Sequence, residues 1–488
     1  MAYVFEGLEP REVLKNFYDF SQAVPRINME SGVGAHGGSD FIVSFAREHG
    51  LTYEQDESLN VIVKKPASPG YETAPSVILE AHLDMVCAAD QGVVHDFSSD
   101  PIEIIVDEDQ NTVHANGTTL GADDGLGVAM ILAVLESDTI EHPELECVFT
   151  VNEETDMYGA RHLHYERLKS RIVMSLDATR LSLGGGGEYD LELFMDYDRI
   201  PVRSGDVQSC IHLHGLLGGH SGKNAYMERG NANMLVVRVL SDLRKKKVPF
   251  RIISFIGGEF TACAIARDAV CRISYPESFR ETVEKTITEW AAVFKNELAV
   301  PDPYVELTLE TPEAAADETI DDKGTARFID LMLLLPDGLN SLHKYFDHKY
   351  ESAVNVGVVE MPESCFRIIV CVRFALVTKM RLLVDKICRL CDLLGVRYNT
   401  IEDLPHWEYN ANARIVELIK DIYTDMEPSI GQGCCEMGFF TDNMPGVEVI
   451  GVGPVVDSPH SPKENFLIDV LADDWRRFVE VLRVTKDY

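Results

Sequence analysis

The chain has 488 residues, of which 44 are Lys or Arg and 80 are Asp or Glu, giving a formal charge of −36 at pH 7. With 45% hydrophobic and 25% charged residues it has the composition of a protein that buries a core, which excludes disorder and collagen-like order. Charge this negative repels phosphate backbones and anionic lipid, so no nucleic acid and no membrane is expected as a partner, whereas divalent cations are attracted.

At roughly 100–200 residues per domain, the length predicts two or three domains. The amino-terminal stretch MAYVFEGLEPREVLKNFYDF lacks the basic flank and apolar centre of a signal peptide. No run approaches the roughly 18 apolar residues of a membrane span, so a cytoplasmic protein is expected. The 11 cysteines are odd in number and scattered, which fits reduced thiols better than a disulfide framework.

In chain order, VILEAHLDMV (77–86), LECVFTV (145–151) and RIVMSL (171–176) read as short strands. Between the first two, GLGVAMILAVLE (125–136) is apolar nearly all round, as a buried helix should be. This alternation predicts α/β structure with a largely parallel sheet. Gly184 to Gly187 reads as a hinge, since no GK[ST] follows that would make it a phosphate loop.

Beyond the hinge the texture changes. DLELFMDY, SCIHLHGLLGGHSG, RIISFIGG, FTACAIARD and AVCRISYP read as strands; NANMLVVRVLSDLRKKK and FRETVEKTITEWAAVFKNEL read as amphipathic helices. The acidic stretch 313–322 reads as a solvated loop. KICRLCDLLG carries a CxxC, Cys388 and Cys391, but reads as an amphipathic helix with structural thiols. From about 398 the chain returns to its first style, with the helix ARIVELIKDIY and the strand VEVIGVG. The expected architecture is one α/β domain built from 1–184 and 398–488, interrupted by a smaller α+β domain over 185–397.

Metal-ligand chemistry gathers at the ends of these strands. In an open α/β sheet, ligands bind beyond the carboxyl ends of the strands, so such endings should meet. His82 and Asp84, in EAHLDMV, are two apart and share a face if the strand continues, so the carboxylate can orient the imidazole. Asp123 and Asp124 follow a glycine-rich turn, where they either serve a metal or favour a helix N-terminus. Glu153 and Glu154 directly follow a strand, a placement that lets one carboxylate ligate while the other moves a proton. Asp177 ends a fourth strand, and His460 sits in a Pro-flanked turn far along the chain. Two histidines and several carboxylates make a mixed N/O donor set suited to zinc, manganese or cobalt, with enough ligands for two ions.

AHLDMV, GTTLGADDGLG, the EET-x-x-x-GA run, the Asp177 strand and the HSPKE turn together resemble the metal-site segments of the M20 metallopeptidases, and within them the aminoacyl-histidine dipeptidase branch. The likeness runs from VPRINMESG through NVIVKKPA and HDFSSDP to the carboxyl-terminal segments. It implies a dimetal-peptidase catalytic domain carrying a lid/dimerisation domain, and hydrolysis of short unblocked dipeptides, Xaa-His among them. It further implies His82 and Asp177 on one metal, Glu154 and His460 on the other, and Asp123 as the bridge. Asp84 would orient His82, and Glu153 would be the general base. His220, in GLLGGHSGKNAYMERGNAN, would act across a homodimer on the oxyanion, and Arg373 would hold the substrate carboxylate, with Asn355 also in the substrate site.

Three departures from the family touch the pocket. Cys263 stands where an asparagine is expected, Ala353 where a small hydroxyl residue is common, and Gln432 where a histidine is usual. They leave open a deacylase of N-acyl amino acids, or a metal-binding paralogue without turnover, although retention of Glu153 argues against the latter. The two HLH pairs, His162/His164 and His212/His214, are expected to be structural. The first would lie on a helix that points them apart, and the second has no carboxylate cluster beside it in sequence.

Overall fold

The computed structural model describes all residues except 1–2, 24, 28–35, 259–260, 363 and 411, so most of VPRINMESG lies outside the described residues. The chain forms two compact units. One comprises Met1–Gly185, Trp407–Gly431 and Cys435–Tyr488; the other comprises Gly186–His406 and Gln432–Cys434.

The first unit is built on a six-stranded sheet in the order Thr52–Gln55, Val61–Lys65, Leu145–Thr150, Val77–His82, Ile172–Thr179, Glu448–Gly453. The last four run parallel, and the first two are antiparallel additions at one edge. Val77–His82 and Leu145–Thr150 are buried at every position, which is why they read as continuous apolar runs and not as alternating ones. The helix Ala122–Glu136 is buried from Asp124 through Leu135, as its all-round apolar sequence predicts. It packs against the helix Arg11–Ser21 and the strands Val77–His82 and Ile172–Thr179. A three-stranded sheet of Ile104–Asp107, Thr112–Ala115 and Asn465–Leu467 ties the carboxyl-terminal segment to the early chain.

The second unit carries a nine-stranded sheet whose pairings are antiparallel. The helices Ala232–Lys245, Arg280–Glu297, Asp322–Leu334 and Val377–Leu394 enclose a core that includes Val236, Leu240, Phe255, Ile273, Phe328 and Ile387. Cys388 and Cys391 lie on the last of these helices, and none of the eleven cysteines forms a disulfide among the described residues.

Several local expectations change. Arg397–Leu404 pairs as an edge strand with Gly187–Asp196, so the chain rejoins the first unit at Trp407 and not near 398. FTACAIARD yields only the strand Ala264–Ile265, because the Asn355 amide takes the carbonyls of Ala262 and Ala264 that a longer ladder would use. The acidic stretch holds a strand, Glu318–Ile320, paired with Arg199–Pro201, and its Thr319 and Ile320 are buried. Among the described residues, no helix is long and apolar enough to cross a membrane.

Candidate metal centre

His82 is the last residue of the strand Val77–His82, and Asp177 lies near the end of Ile172–Thr179. Glu153 and Glu154 open a one-turn helix two residues after the strand Leu145–Thr150, with the chain turned at Asn152 by a φ of 57°. His460 follows the strand Glu448–Gly453. Four neighbouring parallel strands thus deliver their downstream residues to the same end of the sheet, where α/β folds place ligands.

Asp123 sits at the centre. Its Oδ1 lies 3.3 Å from His82 Nε2 and its Oδ2 lies 3.2 Å from His460 Nε2. His82 Nε2 is 3.8 Å from Asp177 Oδ1, while His460 Nε2 is 3.0 Å from Glu154 Oε2. Each histidine therefore has its own second carboxylate, and one aspartate joins the two groups. Donor atoms of His82, Asp123 and Glu154 all lie within 4.8 Å of one another.

Asp84 organises this arrangement from beneath. Its two carboxylate oxygens accept the backbone N–H groups of Glu153 (3.1 Å) and Glu154 (3.2 Å). Its Oδ1 also lies 3.5 Å from His82 Nδ1, and its carbonyl oxygen is 3.2 Å from the same nitrogen. A proton held on Nδ1 by these acceptors leaves the Nε2 lone pair facing Asp123 and Asp177.

Two residues that sequence reasoning did not single out hold the aspartate turn. Glu464, of the HSPKE segment, accepts four consecutive backbone N–H groups, those of Leu120, Gly121, Ala122 and Asp123. The helix N-terminus is thereby satisfied by Glu464, which leaves Asp123 to face the histidines, while Asp124 accepts the Gly127 N–H. The buried Arg26 donates to the carbonyls of Leu83 and Gly121 and stacks on Phe20 at 4.1 Å. Glu464 was visible in a quoted motif, but its partners lie far back in the chain. Behind the strands, Glu80 and Glu436 are both buried, and Thr150 Oγ1 donates to Glu436 at 2.6 Å.

The electrostatics fit a cation-binding site. Burial and the nearby carboxylates push Glu153 and Asp124 well above the usual carboxylate range, and burial pushes Asp177 up to about 8. Hydrogen bonds to Asp123 and Glu154 push His460 up to about 10. Glu154 Oε1 is buried and has no hydrogen-bond partner among the described residues. Acids crowded together in low dielectric stabilise either protons or added positive charge, and an orphaned carboxylate oxygen favours a ligated cation. The nitrogen and carboxylate donors match zinc, manganese or cobalt.

The other predicted residues lie in the second unit. His220, in the strand Gly219–His220, accepts the N–H groups of Gly222 (2.9 Å) and Lys223 (3.1 Å) at Nδ1, so its proton resides on Nε2. Burial, with Arg373 and Lys223 nearby, lowers its pKa to about 4. Arg373 is 2% exposed; it donates from Nε to Ser221 Oγ, pairs through Nη1 with Glu188 at 2.7 Å and donates from the same nitrogen to Cys434 Sγ at 3.4 Å. Asn355 gives both amide hydrogens to the carbonyls of Ala262 and Ala264 and accepts from Asn231, so it supports that segment.

His164 pairs with Glu57 and His162 bonds to the Tyr158 carbonyl. His212 and His214 differ from expectation in having carboxylates beside them, Asp268 with Glu310 and Glu306 respectively, because the strand Glu306–Glu310 pairs with theirs.

The family model described as peptidase family M20/M25/M40 matches residues 78–483. The chain belongs to this family of peptide hydrolases. It is 31% identical over 454 residues to the cytosol non-specific dipeptidase of Escherichia coli (strain K12), covering 91% of this chain and 92% of that one. It is also similar to the crystal structure of aminoacylhistidine dipeptidase from Vibrio alginolyticus, with a TM-score of 0.88, 28% identity and 98% of each chain covered. A tripeptidase from Staphylococcus aureus shares the fold, with a TM-score of 0.58 at 14% identity over 99% of this chain and 100% of the other.

Proposed function

We propose that the protein is a metal-dependent dipeptidase that cleaves short unblocked peptides, Xaa-His dipeptides among them, as a cytoplasmic homodimer. His82 and Asp177 would hold one divalent ion, Glu154 and His460 the other, and Asp123 both, with zinc the foremost candidate and manganese or cobalt also suited to the donors. What supports this most is the division of the two Asp123 oxygens between the two histidines, each with its own further carboxylate.

When bound, such ions act as Lewis acids on the scissile carbonyl and bring the pKa of water from about 15.7 towards about 7. The chain supplies the rest. Asp84 keeps the His82 proton on Nδ1. Glu153 takes a proton from water on its carboxylate and returns it to the leaving amine, a task suited to a group whose protonated form is favoured by its surroundings. His220 offers its Nε2–H to the developing oxyanion of the neighbouring subunit's site, and its lowered pKa keeps that donor neutral at pH 7. Arg373 presents Nη2 to the terminal carboxylate of the substrate, while Asn355 holds the segment that carries Cys263. In this reading the second unit serves as the lid and dimerisation domain.

The test is a panel of Xaa-His, Cys-Gly and N-acetyl amino acids incubated with the zinc- or manganese-loaded protein, with metal counted per chain. Cleavage of the free dipeptides with two ions bound is the expected result. Cleavage of only the N-acetyl compounds would identify a deacylase, and two ions without turnover would identify a binding protein.

A further inference from the structure

A second cluster of metal-ligating side chains lies within the second unit, and its donors are of a different kind. On the strands Gly187–Asp196 and Cys365–Phe374, Glu188 stands opposite Arg373 and Asp190 opposite Cys371 in the antiparallel register. Positions two apart share a face, so all four side chains lie on one side of the sheet. Cys263 and Cys434 reach the same place from elsewhere in the chain. Glu188 Oε1 accepts from Cys263 Sγ at 2.8 Å and from Cys371 Sγ at 3.5 Å. Its Oε2 pairs with Arg373 at 2.7 Å and lies 3.8 Å from Cys434 Sγ.

We propose that Glu188, Cys263 and Cys371 form a thiolate-rich site for a zinc-like divalent ion, separate in its chemistry from the histidine–carboxylate centre. Three observations carry this. The three donor atoms lie within 4.8 Å of one another, and ligands around a tetrahedral zinc are roughly 3.3–3.8 Å apart, so adjustments of about an ångström or less bring them onto one ion. Asp190 is 6% exposed, touches Glu188 and Cys371, and has an Oδ1 with no hydrogen-bond partner among the described residues, an unmet acceptor at the edge of the cluster.

The charges also close. Glu188 and two thiolates balance a divalent ion together with the Arg373 guanidinium that pairs with Glu188. On binding, Cys263 and Cys371 each release one proton to solvent, so affinity rises with pH.

Cobalt(II) reports on this site directly. The full chain, reduced and stripped with chelator, is titrated with cobalt and followed by thiolate-to-cobalt charge-transfer absorption, a signal the sulfur-free histidine–carboxylate centre cannot give. One thiolate-bound ion per chain is expected. Cys263→Ser and Cys371→Ser should lose the band, and Cys388→Ser should keep it. In the unmodified chain, cobalt should slow alkylation of Cys263, the more exposed of the two thiols, a mass-spectrometric readout that needs no variant to fold. Absence of the band, its survival in a Cys263→Ser/Cys371→Ser double variant, or alkylation of Cys263 at an unchanged rate would overturn the proposal. So would a disulfide joining the two sulfurs, formed on adding hydrogen peroxide to a chain that gives no band, which would make them a redox pair. The result is independent of whether dipeptides are cleaved, so failure here and failure of the dipeptidase reading are separately visible.

Discussion

Replacing Glu464 by Gln tests whether the aspartate turn is held as described. The carboxylate is 2% exposed and accepts four backbone N–H groups at 2.7 to 3.0 Å, two on each oxygen. The amide keeps one acceptor oxygen and turns the other into a donor, so two buried N–H groups face an NH₂. At about 1–3 kcal/mol for each buried group left unsatisfied, the loss is about 2–6 kcal/mol. That is a large share of the roughly 5–15 kcal/mol that stabilises a typical domain. The turn carries Asp123, so metal affinity should fall as well, by about 10- to 100-fold as for other groups that orient ligands. The assay is urea unfolding followed by competition for zinc with a graded series of chelators. A variant that unfolds at the wild-type urea concentration and keeps its zinc against the same chelators would refute the account of how Asp123 is positioned.

Three further outcomes are expected. Glu153→Ala should lower dipeptide hydrolysis by about 10²–10⁴-fold while metal content stays at the wild-type value, and loss of metal would instead assign Glu153 to ligation. His220→Ala should lower kcat by about 10²–10³-fold with little change in the urea midpoint, and unchanged kinetics would remove it from catalysis. The His220 pKa is lowered to about 4, so between that value and about 6.5 the unfolded chain binds the proton more readily, and stability contributed by neutral His220 is lost as pH falls through this window. Wild type should therefore lose more stability than His220→Gln between pH 7 and pH 5, whereas parallel curves would show that the imidazole is not buried as neutral.

Much of the first unit was legible because its signals are local. Fully buried parallel strands give unbroken apolar runs, and ligands at strand ends sit beside those runs in sequence, as His82, Glu154 and Asp177 do. Long-range partnerships were not legible. Nothing near His212 announces that Glu310 will lie 3.5 Å away, since the strand Glu306–Glu310 arrives from far along the chain. Arg397–Leu404 is largely exposed and polar, so its sequence gives no apolar alternation, and only its pairing with Gly187–Asp196 makes it a strand. The competition between local and distant bonding also decided 261–268, where one buried amide, Asn355, takes two carbonyls. Glu464 was not singled out for the same reason: its four donors sit at the other end of the polypeptide.

Asp123 draws one of its two histidines from the early chain and the other from near the carboxyl end, with all of Gly186–His406 synthesised in between. During translation the nascent polypeptide exposes His82, Asp123 and Asp177 while His460 is still inside the ribosome. On the proposed ligand set, a chain ending before His460 would keep four of the five ligands, His82, Asp123, Glu154 and Asp177, and lack only the one that completes the second ion's shell.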